Sequence, residues 1–115
     1  MSTVVIVGES VPSVRILAVS LQAEGFEVVR VSTTAELETC VQSRVDLVIL
    51  DHLEPTDLYR LNPRPFGFSG RVLVLSEDGS EHVRTLLEPD LIVRKPVHLH
   101  EIRQYVHDLL LSLAR

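Results

Sequence analysis

The chain has 115 residues, 45% hydrophobic and 23% charged, the balance of an ordinary globular domain and not of a disordered or fibrous one. Its formal charge of −5 argues against a nucleic-acid-binding surface or contact with anionic lipid, since both need excess basic charge. A single cysteine excludes an internal disulfide, and the apolar stretch 4–7 is far too short for a signal peptide or membrane span, so a cytoplasmic location is expected.

The first apolar run, Thr3-Val-Val-Ile-Val7, barely alternates with polar residues. A β-branched run of that kind predicts a strand covered on both faces, as in a parallel sheet between helices. Val14, Leu17, Ala18 and Leu21 then recur at helical spacing, with Ser10 as a candidate cap, Pro12 in the first turn and Gly25 at a left-handed C-terminal position. Glu27-Val-Val-Arg-Val31 reads as a second strand, placed at an edge by its arginine. Thr33 and Glu36 have capping-box spacing and precede Leu37, Cys40 and Val41 on one helical face, which makes Cys40 a core thiol. Val45-Asp-Leu-Val-Ile-Leu50 predicts a central strand.

The following crossover, EPTDLYRLNPRPFGFSG, carries three prolines and two glycines. Pro63 and Pro65 break any helix there, so a turn or two around Thr56 to Leu61 and then an irregular loop are expected. Arg71-Val-Leu-Val-Leu75 predicts a central strand, Ser80 to Glu88 a short helix buried through Val83, Leu86 and Leu87, and Leu91-Ile-Val-Arg94 an edge strand. Leu99, Ile102, Val106, Leu109, Leu110 and Leu113 form one apolar stripe of a last helix, with His98 as a makeshift cap and Tyr105 on its exposed side. The histidines His98, His100 and His107 match no zinc-site spacing and read as a solvated helix face. The alternation predicts one doubly wound, three-layer α/β domain over residues 1–115, with five parallel strands ordered 2-1-3-4-5.

In open α/β sheets sites lie beyond the carboxyl ends of the strands. Those positions hold Gly8-Glu9-Ser10, Asp51-His52, Ser76-Glu77-Asp78 and Lys95-Pro96. Glu9, Asp51, Ser76 and Lys95 are therefore expected to converge at one end of the sheet. Two carboxylates offer hard oxygens for Mg²⁺, a carboxylate can be a phosphoryl nucleophile, and a hydroxyl and an ammonium suit phosphoryl oxygens. Lys95 is the only lysine among eleven basic residues, which points to a need for a point charge at that position.

At these residues the sequence resembles the receiver domain of bacterial two-component response regulators, over nearly its whole length. The resemblance rests on VDLVILDHLEP, on VLVLS and on VRKPV. It implies a flavodoxin-like fold in which Asp51 accepts phosphate from a histidine kinase or a histidine phosphotransfer protein. It implies that Glu9, Asp51 and the backbone carbonyl of Leu53 ligate Mg²⁺, that Ser76 and Lys95 contact the phosphoryl group, and that the Lys95–Pro96 peptide is cis. Signalling is then expected through altered contacts with a downstream output protein or domain, without metabolic enzyme activity. Lys95→Ala is expected to leave the fold intact while impairing phosphorylation. Three positions depart from the pattern: Gly8 replaces the first of two adjacent acids, Glu77 follows the serine in place of a small residue, and Ile92 stands at the switch aromatic. On this reading Gly8 removes one carboxylate from the metal neighbourhood, and Gly8→Asp is expected to tighten Mg²⁺ binding. The alternative is a pseudo-receiver, the same fold used as a docking module without phosphorylation.

Overall fold

Thr3–Val7 (β1), Glu27–Val31 (β2), Leu47–Leu50 (β3), Arg71–Ser76 (β4) and Leu91–Arg94 (β5) form one five-stranded sheet in the order β2-β1-β3-β4-β5. Every pairing is parallel. The structure is a computed structural model that describes residues 2–8, 12–51, 60–76 and 88–113. Ser10, residues 56–59 of the expected Thr56–Leu61 turn and residues 80–87 of the expected Ser80–Glu88 helix lie outside the described residues, as do Glu9, His52, Leu53 and Glu77.

The order puts the three runs that lack alternation at the centre, and the burial follows. Val4, Val5, Ile6 and Val7 are all fully buried, as are Leu47, Val48 and Ile49. Alternate residues serve opposite layers. Val4, Ile6, Leu47, Ile49, Leu73 and Leu75 face one core with α1 (Pro12–Ala23) and α3 (Leu99–Leu113). Val5, Val7, Val48, Leu50, Val72 and Val74 face the other, with α2 (Thr34–Val41), Leu61 and Phe68. Each such side chain, fully buried, is worth about 1.5–3 kcal/mol, which is why the two-sided strands dominate the stability.

Local signals act where they stand. α1 begins at Pro12 and buries Val14, Leu17, Ala18 and Leu21. It ends in a Schellman turn: Gly25, at φ +96°, donates its N–H to Gln22 and Phe26 donates to Leu21, at 3.0 and 3.2 Å. Thr33 caps α2, its hydroxyl accepting the Glu36 N–H at 3.1 Å. The Glu36 carboxylate reaches back one residue further than the usual box, accepting from the Ser32 N–H at 3.2 Å and from the Thr33 hydroxyl at 3.0 Å. His98 accepts the N–H groups of Glu101 and Ile102 on its carbonyl, while its own N–H donates to Glu101 Oε1, so it caps α3 through its backbone.

Three expectations change. β3 is shorter than the run Val45–Leu50, and Asp46, just before it, accepts the Thr3 N–H on its carboxylate at 2.9 Å, closing the start of β1. Asp90 does the same for β4, accepting from Val72 at 2.8 Å. Tyr105 is half-buried against the first core and not on the exposed side, because it lies beside the Ile102–Val106–Leu109 stripe and widens it. After Leu61 the third crossover carries only a 3₁₀ turn, Arg64–Phe66, as Pro63 and Pro65 require. Yet that stretch is packed: Leu61 and Phe68 cover the second face of the sheet.

Candidate functional site

Parallel register brings the strand ends level. Val7 pairs with Leu50 and Leu50 with Val74, so Gly8 and Asp51 leave the sheet side by side, level with Leu75 of β4. Ser76 pairs with Arg94, which puts Lys95 one step beyond β5 on the same side. Asp51 donates its N–H to Val7 at 2.9 Å, and Lys95 donates its N–H to the Ser76 carbonyl at 2.8 Å. The backbone thus holds both residues at the carboxyl end by bonds that continue the two ladders. The Lys95–Pro96 peptide is cis, as the resemblance implies.

The side chains of Asp51 and Lys95 meet. Asp51 is buried, only 4% exposed, and the Lys95 ammonium lies against its Oδ1 in an ion pair. The contact is off the hydrogen-bonding direction, so Oδ1 is a buried carboxylate oxygen that receives charge compensation but no aligned hydrogen bond. Such an oxygen keeps acceptor capacity and is costly to leave so, by about 1–3 kcal/mol. It suits a hard cation, and that fits the Mg²⁺ expectation as far as Asp51 is concerned. Glu9 and the Leu53 carbonyl, the other two expected ligands, lie outside the described residues. Among the described residues no three His, Cys, Asp or Glu side chains gather as a metal-holding group. Ser76, the last residue of β4, lies in the strand between those that carry Asp51 and Lys95.

An open cleft of about 640 Å³ leads to the pair. Ser13 and Ile16 of α1 form one wall, and Pro96, Val97, Leu99 and Ile102 form the other, with Leu75, Asp51 and Lys95 between them. The walls were not singled out from the sequence, but a signal was there. Ile16 falls off the buried stripe of α1 and is 57% exposed, an apolar side chain with no core to serve. Ile92, at the expected switch position, is half-buried and packs on the second core. The histidines are used locally: His98 and His100 stack with ring centres 5.6 Å apart, and the His107 ring meets the Glu24 carboxylate.

Position 8 needs a correction. A Cβ on Gly8 would stand 2.1 Å from the Asp51 carbonyl oxygen and 3.1 Å from its carbonyl carbon. The volume a side chain would need is filled by the backbone of Asp51. Gly8→Asp therefore does not simply add a carboxylate beside the metal site, and the expected tightening of Mg²⁺ binding is withdrawn.

No protein-family model and no curated protein matches the chain. Its fold is that of response-regulator receiver domains. A two-component response regulator from Clostridium difficile is similar with a TM-score of 0.78 at 14% identity, the match covering 100% of each chain. The receiver domain of a Francisella response regulator gives 0.78 at 16%, covering 98% of this chain and 99% of that one. A Vibrio cholerae chemotaxis protein gives 0.75 at 18%, covering 95% and 98%. No described helix is long and apolar enough to cross a membrane.

Proposed function

We propose that the chain is a phosphoacceptor receiver domain that takes a phosphoryl group on Asp51 and signals through altered protein contacts. The observation that carries this reading is the buried Asp51 carboxylate held against Lys95 at the carboxyl end of a receiver-type sheet, with an open cleft leading to the pair. The donor would be a phosphohistidine of a histidine kinase or histidine phosphotransfer protein. An Asp51 carboxylate oxygen attacks phosphorus, the P–N bond breaks, and its electron pair stays on the departing imidazole. Lys95, now beside an acyl phosphate, is the fixed cation for the charge that moves from carboxylate to phosphoryl oxygens. Ser76 supplies a hydroxyl at the end of the neighbouring strand. A bound Mg²⁺ would be held by Asp51 with Glu9 and the Leu53 carbonyl, and would neutralise phosphoryl charge. The chain's work is signalling; no metabolic turnover is proposed, and a cytoplasmic setting follows from a kinase partner.

The test is direct. Incubation with acetyl phosphate and Mg²⁺ should add one phosphoryl group to the intact mass, and Asp51→Asn should abolish the addition. An unchanged wild-type mass under saturating donor supports the second reading, a pseudo-receiver that docks without phosphorylation. The observation that favours the second reading is Ile92, which is packed on the core where an aromatic would switch.

A further inference from the structure

Gly8 sits at the point where two strand ends converge. Its N–H donates to the Val31 carbonyl of β2 at 3.1 Å, while the Asp51 N–H donates to Val7, just before it, at 2.9 Å. These bonds leave neither backbone free to drift. The Asp51 carbonyl points into the volume above Gly8, so close that a Cβ would approach its oxygen to 2.1 Å. Ordinary carbon–oxygen contacts between strands lie near 3.3–3.6 Å, so a side chain here would overlap by more than ~1 Å. The obstacle is peptide backbone, not the end of a flexible side chain, and it can yield only by rotating the Asp51 peptide.

We infer that Gly8 is a positioning residue for Asp51: the missing side chain is what seats the Asp51 peptide and aims its carboxylate at Lys95. The Asp51 N–H is tethered and its carbonyl is displaced in any Gly8 variant, so the strain falls on the Asp51 Cα, from which the carboxylate departs. Glycine at this position is therefore built into the site, and adding an acid should harm it. The consequence for phosphoryl transfer rests on the phosphoacceptor reading; the geometric claim does not.

The experiment compares wild type, Gly8→Ala, Gly8→Asp and, as a stability control on the same strand but at the far end of the sheet, Val4→Ala. Amide and carboxyl NMR shifts of Asp51, Mg²⁺ affinity followed by those shifts, and the acetyl phosphate transfer rate are read for each. Gly8→Ala should fold, shift Asp51 and Lys95 more than residues equally near position 8, and slow transfer by roughly ten- to a hundredfold, the scale of a ~1 Å misplacement. Gly8→Asp should bind Mg²⁺ no more tightly than wild type. Val4→Ala should lose stability with Asp51 shifts and transfer rate kept. Wild-type Asp51 shifts in Gly8→Ala, or tighter Mg²⁺ in Gly8→Asp with Asp51 unmoved, overturn the inference. If wild type itself takes no phosphate, the phosphoacceptor reading fails and the Asp51 shifts alone decide. If neither Gly8 variant folds, a crystal structure of the wild type decides: an Asp51 carbonyl against the Gly8 Cα supports the inference, and one turned away overturns it.

Discussion

Asp51 and Lys95 are an unequal pair, and the inequality is measurable. Their side chains are 5% and 20% exposed, so losing the lysine strands a buried carboxylate, whereas losing the carboxylate leaves an ammonium able to reach water. Breaking a fully buried pair from one side costs about 3–5 kcal/mol. Lys95→Ala should therefore destabilise noticeably, by somewhat less than that because the site opens on the cleft, while Asp51→Asn should cost little. The double variant should recover most of the loss. Urea denaturation of the four proteins in a cycle checks this, and equal losses for the two single variants would refute the asymmetry. The fold survives Lys95→Ala on this view, as expected from the sequence, but at a cost in stability that the sequence did not reveal. Cys40 is a second residue-scale case. Burial, and then the charge of Glu36, push its thiol above the ordinary value, so little thiolate exists near neutrality. Alkylation by iodoacetamide should be slower in the native protein than in the same protein in urea at one pH.

At the scale of elements, caps and a single arginine do work that apolar patterning leaves undone. Glu36 is held below the ordinary carboxylate value of 4.5, first by the Ser32 N–H and then by the Thr33 hydroxyl. A carboxylate lowered by folding stabilises above its unfolded value and loses that contribution as pH falls through its folded value. Wild type should therefore exceed Glu36→Gln in stability at neutral pH, and the gap should close below about pH 4. Thermal melts at pH 7 and pH 3 decide it, and a gap independent of pH would count against the charged cap. In the third crossover Arg64 ties together the irregular backbone that follows its 3₁₀ turn. Its Nη1 donates to the carbonyls of Phe68 and Gly70 at 3.2 and 2.9 Å, and Nη2 to the Glu88 carbonyl and Asp90 at 3.0 and 3.3 Å. One planar fork thereby joins the stretch before β4 to the stretch before β5. Arg64→Ala should cost on the order of 2–3 kcal/mol, as for charged hydrogen bonds left half-made, and Arg64→Lys should not restore it, because an ammonium cannot span four acceptors. Full rescue by lysine would show that charge alone matters.

For the molecule as a whole, strand order decides where both stability and the site lie. β1 and β3 sit in the interior of the sheet with their residues almost wholly buried, whereas β2 and β5 each keep one open edge and exposed arginines, Arg30 and Arg94. Hydrogen exchange should be slowest in Val4–Val7 and Leu47–Leu50, faster at both edges. Equal protection in β2 would be inconsistent with the edge position. The cleft to Asp51 is likewise a property of the whole. It exists because α1 and α3 share one face of the sheet, tied at their far end by Glu24, which pairs with His107 and, at 3.6 Å, with Arg103.

Much of this was legible in the chain alone. Unbroken β-branched runs marked β1, β3 and β4 as central, and an arginine within each of β2 and β5 marked the edges. The turn at Gly25, the cap at Thr33 and the placing of Asp51 and Lys95 at one end of the sheet followed from spacing. These features are local: a side chain's period within five to fifteen residues states which face is buried, and parallel order then sends every strand's carboxyl end to the same side. Three things needed the tertiary structure. Asp46 and Asp90 close strands that lie far from them in sequence, Arg64 reaches acceptors up to 26 residues away, and Gly8 makes room for the carbonyl of a residue on another strand. Each depends on two backbones being brought within a bond's reach by folding, and such a meeting leaves no period, run or spacing in the sequence on either side of it.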